Sequence, residues 1–407
     1  MTHLALEDDL LDAQLLRAVG AAPYGGADVG ECLATARRVK GTDLDSWHDE
    51  WLRTAEAVSA LAEEAERDGR RETARLAHLR ACTYFRTAGV MLMGVPLDPR
   101  LVASNARQTE AFRRAAALME TPPEILEIPF EGTTLPGYFF RVDGDPRPRA
   151  TALLTGGYDG TVEELYFWNG AAALARGYNV LAFDGPGQGG ALLQQGLTMR
   201  ADWENVVGPV SDHLLARADV DPDRVALIGL SLGAHLAPRA DSGEHRLAAC
   251  IADCGAFDLH AAAMARLPGS LARGLEHGNR VAAATVREML EHAMGGATSG
   301  WPLRRGLLVH GLDDPLELFE AMGDYSLVGR AEKIRCPTWV CNAEGDAISA
   351  TAPQLVDALR CEKELVTFTA AEGAGDHCET GARTLYHARS FGWLDSRLRP
   401  WEAGPTS

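Results

Sequence analysis

The sequence of 407 residues predicts an α/β fold, in which a mostly parallel eight-stranded sheet follows an all-helical domain and is interrupted by a helical lid. Three observations predict it. Apolar residues recur at helical spacing up to about residue 122, short apolar runs alternate with helical segments after Pro123, and the interval 258–331 contains helices without a convincing strand. The predicted units are an N-terminal helical cap domain at 1–122, the first part of the α/β core at 123–257, a helical lid insertion at 258–331 and the second part of the core at 332–407.

The N-terminal domain is predicted as successive helices. Asp45-Ser46 offers an N-cap for one of them. Trp47, Trp51 and further apolar residues then recur at helical spacing, and the two tryptophans are expected in the core of this unit. A second helix is predicted around 72–88 and a third around 99–119, where prolines on both sides mark the ends.

Strands are predicted at eight short runs, most of them rich in Ala, Val, Leu or Ile, at 125–130, 135–142, 150–154, 179–183, 224–228, 247–252, 338–341 and 365–369. A turn at 131–134 joins the first two runs, which indicates an antiparallel pair. Helical segments separate the others, and this alternation predicts a parallel sheet with right-handed crossovers.

Charge and composition exclude several classes of protein. Fifty-seven acidic against 39 basic residues give a net charge of −18, which argues against nucleic-acid binding because that function needs a cationic surface. The first residues have no basic stretch before an apolar run, and no segment reaches the length of a membrane span. The eight cysteines do not have the spacing of metal ligands. Without a predicted secretion signal, we do not expect them to form disulfides. We therefore expect a cytoplasmic protein with reduced thiols, no nucleic-acid partner and no membrane association.

The strongest local motif is Gly229-Leu230-Ser231-Leu232-Gly233, a G-x-S-x-G sequence directly after a predicted strand. Its glycines permit a sharp turn from strand to helix, which lifts the serine hydroxyl above the sheet at the positive end of a helix. We interpret Ser231 as a nucleophile. The alternative is a structural serine that caps its helix and needs no partner residues. His235, one helical turn later, is expected to pack on the helix.

A serine nucleophile needs a base, and the base needs an acid that orients it. On turns of this kind the three groups follow one another in the order serine, acid, histidine. The seventh predicted strand leads into a loop with Asp346, the preferred acid, and Glu344, its rival. Beyond that loop, His377 follows the last strand, whereas His387 lies within the C-terminal helix. His377 is the predicted base, and the adjacent Asp376 is too close in sequence to face its ring.

Backbone N–H groups are expected to stabilise the oxyanion that forms on a carbonyl substrate. One belongs to Leu232, directly after the serine. The second is expected from the Gly-Gly loop after the third strand, where Tyr158 is preferred and Gly157 is the alternative. The simpler interpretation of this loop is an ordinary strand-to-helix turn. A second Gly-rich loop, 184–190, lacks the lysine of a phosphate-binding loop and is expected to shape the floor of the site.

Further motifs run along the chain in a fixed order: Asp45-Ser46-Trp47 with Trp51, Arg80-Ala81-Cys82-Thr83-Tyr84-Phe85-Arg86, Pro96-Leu97-Asp98-Pro99-Arg100, Ile128-Pro129-Phe130-Glu131-Gly132 with Leu135-Pro136-Gly137-Tyr138, and Gly156-Gly157-Tyr158-Asp159-Gly160 with Glu163-Glu164. In this order they resemble one subgroup of the α/β-hydrolase superfamily. That subgroup contains dihydropseudooxynicotine hydrolase of bacterial nicotine breakdown, the fungal hydrolase that shortens a polyketide pigment precursor, and fermentation–respiration-switch-like esterases.

This resemblance implies an α/β-hydrolase fold and a cofactor-free, metal-free serine hydrolase with the triad Ser231, Asp346 and His377. It implies a small or polyketide-like metabolite as substrate, cleaved at an ester or at a C–C bond beside a ketone, and a homodimer. The N-terminal helical domain is expected to close over the serine. The walls of the substrate pocket are then expected to include Tyr84, Arg86 and Trp168.

Two other functions are compatible with the same motifs. The acyl group on the serine could pass to a nucleophile other than water, which would make the chain an acyltransferase or a cyclase of specialised metabolism. A noncatalytic ligand-binding protein on this fold is the second alternative. Such a protein would usually lack a member of the triad, whereas all three residue types are present here.

Overall fold

The computed structural model describes residues 3–400, and within them eight strands form one sheet. The strands are β1 (Glu124–Phe130), β2 (Thr133–Phe140), β3 (Arg149–Thr155), β4 (Asn179–Phe183), β5 (Val220–Leu230), β6 (Ala249–Asp253), β7 (Thr338–Ala343) and β8 (Lys363–Phe368). Their order across the sheet is β1-β2-β4-β3-β5-β6-β7-β8. β2 pairs antiparallel with β1 and β4, and the other pairings are parallel. The predicted mostly parallel eight-stranded sheet is confirmed.

Helices occupy the region before the sheet and most of the connections within it. Among residues 3–400 they are α1 (Asp9–Val19), α2 (Val29–Ala36), α3 (Leu44–Arg67), α4 (Arg71–Val90), α5 (Pro99–Ala117), α6 (Val162–Leu165), α7 (Ala171–Leu174), α8 (Gly189–Leu193), α9 (Glu204–Leu215), α10 (Gly233–Asp241), α11 (Leu259–Met264), α12 (Gly269–Glu276), α13 (Arg280–Met294), α14 (Trp301–His310), α15 (Pro315–Ala321), α16 (Ala352–Ala358) and α17 (Arg383–Leu398). The outer ends of the predicted units 1–122 and 332–407 lie outside the described residues, and the division into four units remains a proposal.

Helix α3 begins before the predicted N-cap. The side chain of Asp43 accepts hydrogen bonds from the N–H groups of Asp45 and Ser46, so the cap is Asp43 and the predicted Asp45-Ser46 lies in the first turn. The physical reason is that Asp43 keeps an extended backbone, from which its carboxylate reaches the N–H groups two and three residues further on. Trp47 and Trp51 on the inner face of this helix are completely buried.

The front helices, α1 to α5, share one hydrophobic core with the sheet. Buried apolar side chains form a continuous cluster that runs from Trp47, through Phe112 on α5, to strand residues such as Leu153 and Leu227. The ring of Phe112 packs against that of Tyr138 on β2, with 5.0 Å between the ring centroids. The front helices are therefore stabilised by the same apolar burial that stabilises the sheet.

The interval 258–331 is helical, as predicted, and contains no strand. Helices α11 and α12 have no fully buried residue, and α13 buries only Ala282 and Val286. Helix α14 differs, because its Trp301 is 2% exposed and donates a hydrogen bond from Nε1 to the Val90 carbonyl at 3.1 Å. The insertion is thus attached through α14 to the end of α4. None of the helices between residues 3 and 400 has the length and apolar character needed to cross a bilayer.

Candidate active site

Ser231 lies on a tight turn between β5 and α10. Its φ of 61° is a left-handed conformation that residues other than glycine seldom adopt. The backbone N–H of Ser231 donates to the carbonyl of Asp253, at the end of the neighbouring strand β6, over 3.1 Å. The turn therefore holds the serine at the carboxyl edge of the parallel strands, where ligands bind in open α/β sheets.

Two glycines of the predicted motifs permit contacts that any side chain would prevent. A Cβ on Gly229 would lie 1.9 Å from the carbonyl oxygen of Gly233, across the serine turn. A Cβ on Gly157 would lie 2.7 Å from the Cβ of Ser231. Both distances are shorter than packed atoms tolerate, so glycine at 229 lets the serine turn close tightly, and glycine at 157 lets the loop after β3 pack directly against Ser231.

Three side chains form a continuous hydrogen-bonded chain at this edge of the sheet. Ser231 Oγ lies 2.9 Å from His377 Nε2, and His377 Nδ1 lies 2.8 Å from Asp346 Oδ2. Asp346 comes from the loop after β7, and His377 comes from the loop after β8. The Asp346 side chain is 4% exposed, whereas that of His377 is 37% exposed. The structure thus brings together the three residues that the sequence predicts, with the carboxylate buried and the imidazole open to solvent.

The charges of Asp346 and His377 support each other. Burial alone would raise the pKa of Asp346, but the hydrogen bond and charge of His377 lower it to about 2. Burial also opposes a charge on His377, but the neighbouring Cys378 and Asp346 raise the pKa of His377 well above its usual value. The buried carboxylate of Asp346 thus stabilises the positive charge that a histidine acquires when it takes a proton from serine.

The rival residues lie in other environments. The carboxylate of Glu344 is exposed and accepts a hydrogen bond from the N–H of Ala370 at 2.9 Å. His387 is buried between the Tyr24 hydroxyl and the Trp168 carbonyl, and no hydrogen bond joins it to the serine. His235 is completely buried, with its Nδ1 3.0 Å from a backbone carbonyl.

The Gly-Gly loop (156–160) provides free backbone donors beside the serine. Within residues 3–400, the N–H groups of Gly157, Tyr158 and Leu232 have no acceptor. Most backbone N–H groups in folded proteins are paired, so unpaired donors next to a half-buried hydroxyl are available to a ligand. This arrangement is compatible with the predicted oxyanion site at Leu232 and Tyr158, with Gly157 as a further donor.

Gln188, which sequence reasoning did not single out, holds the Gly-Gly loop in place. Its Nε2 donates to the carbonyl of Gly156 at 2.7 Å and to that of Gly157 at 3.3 Å. Its Oε1 accepts from the N–H of Gly185 at 3.0 Å. Gln188 belongs to the loop 184–190 that was expected to shape the floor of the site. The sequence signal was a single amide side chain in a loop that otherwise consists of glycine and proline after Asp184.

Asp159, next to Tyr158, is buried among three arginines that sequence reasoning also missed. The ion pairs are 2.9 Å to Arg17 on α1, 3.3 Å to Arg86 on α4 and 3.4 Å to Arg305 on α14. Burial would raise the pKa of Asp159, but these cations hold it well below its usual range. A charged residue in a buried Gly-rich loop signals that partners exist. Their identity depends on the tertiary structure, because they are far away in sequence.

The three predicted wall residues have different surroundings. Arg86 lines a narrow cavity of about 30 Å³ that Tyr158 also lines, which has room for about one or two water molecules. Trp168 lines a smaller cavity of about 10 Å³, also with Arg86. Tyr84 lines neither cavity, because its hydroxyl is fixed within the front helices, where it donates to Glu31 at 2.7 Å. The surroundings of Tyr84 are thus those of a packing residue.

Sequence comparisons identify close relatives along almost the whole chain. A hydrolase of Fusarium sp., LUC6, is 34% identical over 97% of this chain and 97% of its own length. The 20-hydroxy-prefusarin hydrolase FUS2 of Gibberella moniliformis is 35% identical over 97% of this chain and 98% of its own length. The chain is thus similar to fungal hydrolases over its front helices as well as over its sheet.

Structural and family comparisons agree with these relatives. The crystal structure of 2,6-dihydroxy-pseudo-oxynicotine hydrolase shares the fold, with a TM-score of 0.75 at 22% identity over 95% of this chain and 98% of that one. A profile of the alpha/beta hydrolase family matches residues 152–385, which is more than half of the chain. Together with relatives more than 30% identical over nearly the full length, this match shows that the chain belongs to the alpha/beta hydrolase family of enzymes.

Proposed function

We propose that the chain is a cofactor-free serine hydrolase that cleaves an ester, or a C–C bond beside a ketone, in a small or polyketide-like metabolite. The observation that carries this proposal is the hydrogen-bonded chain from Asp346 through His377 to Ser231, with contacts of 2.8 Å and 2.9 Å. Membership in a family of hydrolases supports the same reaction class.

The first step is attack by the serine. His377 Nε2 takes the proton of Ser231 while Oγ forms a bond to the carbonyl carbon of the substrate. Asp346 is buried, keeps its negative charge at neutral pH and stabilises the imidazolium through Nδ1. This contact also fixes the orientation of the ring, because Nδ1 donates to the carboxylate and Nε2 faces the serine.

The oxyanion of the tetrahedral intermediate is held by backbone N–H groups. Leu232 supplies one donor, and Tyr158 or Gly157 supplies the second from the Gly-Gly loop. Donors that are fixed before the reaction cost no reorganisation in the transition state, and one such hydrogen bond contributes about 10²-fold or more to the rate. Gln188 positions these donors through the carbonyls of the same loop.

The second half of the reaction releases both products. His377 gives its proton to the leaving group, either an alkoxide or a carbanion stabilised by a neighbouring carbonyl. Water then loses a proton to His377 and attacks the acyl carbon, and His377 returns that proton to Ser231 Oγ as the bond between Oγ and the acyl carbon breaks. The exposed edge of His377 gives water a route to this position.

The proposed substrate class depends on the relatives. One relative 35% identical to this chain is named as a hydrolase of 20-hydroxy-prefusarin. For this reason we propose that the substrate of this chain is also a small metabolite. The pocket is proposed to lie between the front helices and the insertion, since both reach the Gly-Gly loop through the ion pairs of Asp159. A homodimer in the cytoplasm, which the sequence resemblance and composition indicate, is part of the same proposal.

The test is turnover of a short p-nitrophenyl ester together with labelling by a fluorophosphonate probe. Ser231→Ala is expected to abolish labelling and to lower kcat about a millionfold, as removal of the nucleophile does in serine proteases. Ser242→Ala is the matched control, because Ser242 follows the other end of the same helix and donates only to the Arg239 carbonyl. The control should retain both signals.

Two outcomes would contradict the proposal. Labelling or turnover of Ser231→Ala at the wild-type level would show that another residue is the nucleophile. Reaction in ¹⁸O-labelled water separates hydrolysis from acyl transfer, because hydrolysis places one labelled oxygen in the acid product. A product without the label would instead indicate transfer or cyclisation from the same acyl-enzyme.

A further inference from the structure

Two cysteines lie beside His377 and are not used by the proposed reaction. Cys254 directly follows β6, and Cys378 directly follows His377. The sulfur atoms of both cysteines and a ring nitrogen of His377 all lie within 4.8 Å of one another. Both cysteines have a left-handed backbone, with φ of 69° and 54°, a conformation that costs free energy in residues other than glycine. The fold thus places two thiols against the imidazole at the expense of local strain.

This set of ligand atoms suits a thiophilic divalent cation. Zinc binds thiolate sulfur at about 2.3 Å and imidazole nitrogen at about 2.0 Å in a tetrahedral geometry, which places its ligand atoms roughly 4 Å apart. The N–H of Cys378 donates to the sulfur of Cys254 at 2.8 Å. Hydrogen bonds to metal-binding atoms orient the ligands of metal sites. The His377 side chain is 37% exposed, so solvent reaches one of the three ligands, whereas both sulfur atoms are buried.

A neighbouring cluster of Asp253, Cys341 and Glu379 also has its ligand atoms within 4.8 Å, but it already holds a cation. The guanidinium of Arg383 lies 2.7 Å from Asp253 and 3.5 Å from Glu379. All three members of the cluster are completely buried; the guanidinium balances the charge of Asp253, while burial and Asp253 raise the pKa of Glu379 well above its usual value.

We propose that Cys254, His377 and Cys378 form a binding site for Zn²⁺, and that occupancy of this site switches the enzyme off. The two thiols release their protons to solvent as the metal–sulfur bonds form, and a proton on the ring nitrogen that binds the metal leaves to solvent in the same way. The ring nitrogen that binds the metal must give up its present partner, which is either Ser231 or Asp346. Inhibition rests on the proposed function, because it follows only if His377 is the base, whereas metal binding itself does not.

Binding is tested on the full chain without substrate. Zn²⁺ is titrated in competition with a chromogenic chelator under a non-thiol reductant, and Co²⁺ serves as a spectroscopic probe. We expect one Zn²⁺ per chain and a thiolate-to-Co²⁺ charge-transfer band. Cys254→Ser and Cys378→Ser should each weaken binding at least about tenfold, as loss of metal-site interactions does. Cys361→Ser is the control, because this half-buried thiol belongs to neither cluster.

Several results would overturn the metal site. Wild-type protein that binds no Zn²⁺, or binds Co²⁺ without a thiolate band, would do so whether or not the variants fold. Unchanged affinity in both Cys254→Ser and Cys378→Ser would also overturn it. Loss of binding in Cys341→Ser, with binding kept in the other two variants, would place the ion in the neighbouring cluster instead.

The inhibitory role is tested by ester turnover at increasing occupancy. Turnover should fall at least about tenfold in parallel with Zn²⁺ binding and return when EDTA removes the metal. Turnover that persists at full occupancy would overturn inhibition. Failure of the proposed function is distinguishable, since it would appear as a Ser231→Ala variant that keeps wild-type turnover while Zn²⁺ still binds.

Discussion

The two helical regions that surround the sheet have similar sequence patterns but different packing. The front helices bury large aromatic side chains such as Trp47 and Trp51 completely, in a core that continues into the sheet. In the insertion, α11 and α12 contribute no fully buried residue. A helical pattern therefore does not tell whether a helix belongs to the core, because burial depends on what lies against its apolar face.

Both regions nevertheless reach the same residue beside the candidate active site. Asp159 pairs with Arg17 and Arg86 from the front helices and with Arg305 from the insertion. The Arg86 side chain is 5% exposed and that of Arg305 is 20% exposed. The front helices hold Asp159 through shorter and more buried ion pairs than the insertion does, whereas the insertion adds ring contacts with Tyr158 from Arg305 and His310. We therefore expect the insertion to be the more easily displaced of the two.

The largest expected effect tests the packing of the front helices. Trp47→Ala should lower the free energy of unfolding by about 3–5 kcal/mol, because it leaves a cavity at a completely buried site. It also removes the hydrogen bond from Nε1 to the Thr87 carbonyl at 2.7 Å. Equilibrium urea unfolding measures the loss.

Trp301→Ala is the matched variant in the insertion. Trp301 is 2% exposed and also donates from its indole to a backbone carbonyl, so the local chemistry is comparable. Hydrogen exchange in Trp301→Ala should rise in α14 and leave α3 and α4 protected. Equal loss of protection in all three helices would show that the insertion unfolds together with the front helices and is not the less stable of the two regions.

Much of the sheet could be predicted from the sequence. Strands β4 and β6 and the second half of β5 are short apolar runs, which is the signature of a buried parallel strand, whereas β5 begins at Val220, before the predicted run, in a polar segment without that signature. Ser231 and His377 were found because a G-x-S-x-G turn and the chain order of the triad restrict the candidates. Their contact in the structure agrees with that expectation.

The supporting contacts could not be predicted, because they join residues distant in sequence. Gln188 reaches the Gly-Gly loop from the loop after the next strand, and Arg17 reaches Asp159 across 142 positions. The wall residue Tyr84 illustrates the same limit. Its motif lies on a helix with many buried positions, and only the tertiary packing shows that its hydroxyl faces Glu31.

A second prediction contrasts a buried histidine beside the sheet with an exposed one in the insertion. Burial is the main cause that lowers the pKa of His235 on α10 to about 4, with Arg239 contributing. Below pH 6.5 the imidazole becomes protonated in the unfolded chain, whereas in the folded chain it stays neutral until about pH 4. Stability should therefore fall as the pH falls through this window, by up to about 3 kcal/mol from this residue.

The measurement is urea unfolding between pH 7 and pH 4 for wild type and His235→Gln. The variant should lose less stability than wild type over this range, whatever its stability at pH 7. His292→Gln is the control, because His292 is exposed on α13. An identical pH dependence in wild type and His235→Gln would contradict the assignment of a neutral buried imidazole.

A third prediction compares the two sets of contacts with Asp159. Arg17→Gln should cost about 2 kcal/mol of unfolding free energy, because it removes charged hydrogen bonds to both Asp159 and Glu164. Arg305→Gln should cost less, about 1 kcal/mol, because its one ion pair with Asp159 is longer and more exposed, and its other contacts are cation–π contacts with the rings of Tyr158 and Trp301. Both variants should lower kcat more than they change KM, because the loop carries the proposed oxyanion donors. A larger loss of kcat in Arg305→Gln than in Arg17→Gln would show that the insertion, and not the front helices, holds the Gly-Gly loop more firmly.

The smallest expected effect concerns the outer face of the insertion. Val281 on α13 is 74% exposed, so Val281→Ala should change the free energy of unfolding by less than about 0.5 kcal/mol. Met289→Ala, at 43% exposure on the same helix, should behave alike. The measurement is urea unfolding at two protein concentrations tenfold apart, with sedimentation in parallel. A loss above 1 kcal/mol that grows with concentration would show that this face is covered in solution by a second copy, as the predicted homodimer allows. The insertion would then owe its order to a subunit contact, and the contrast with the front helices would hold only for the isolated chain.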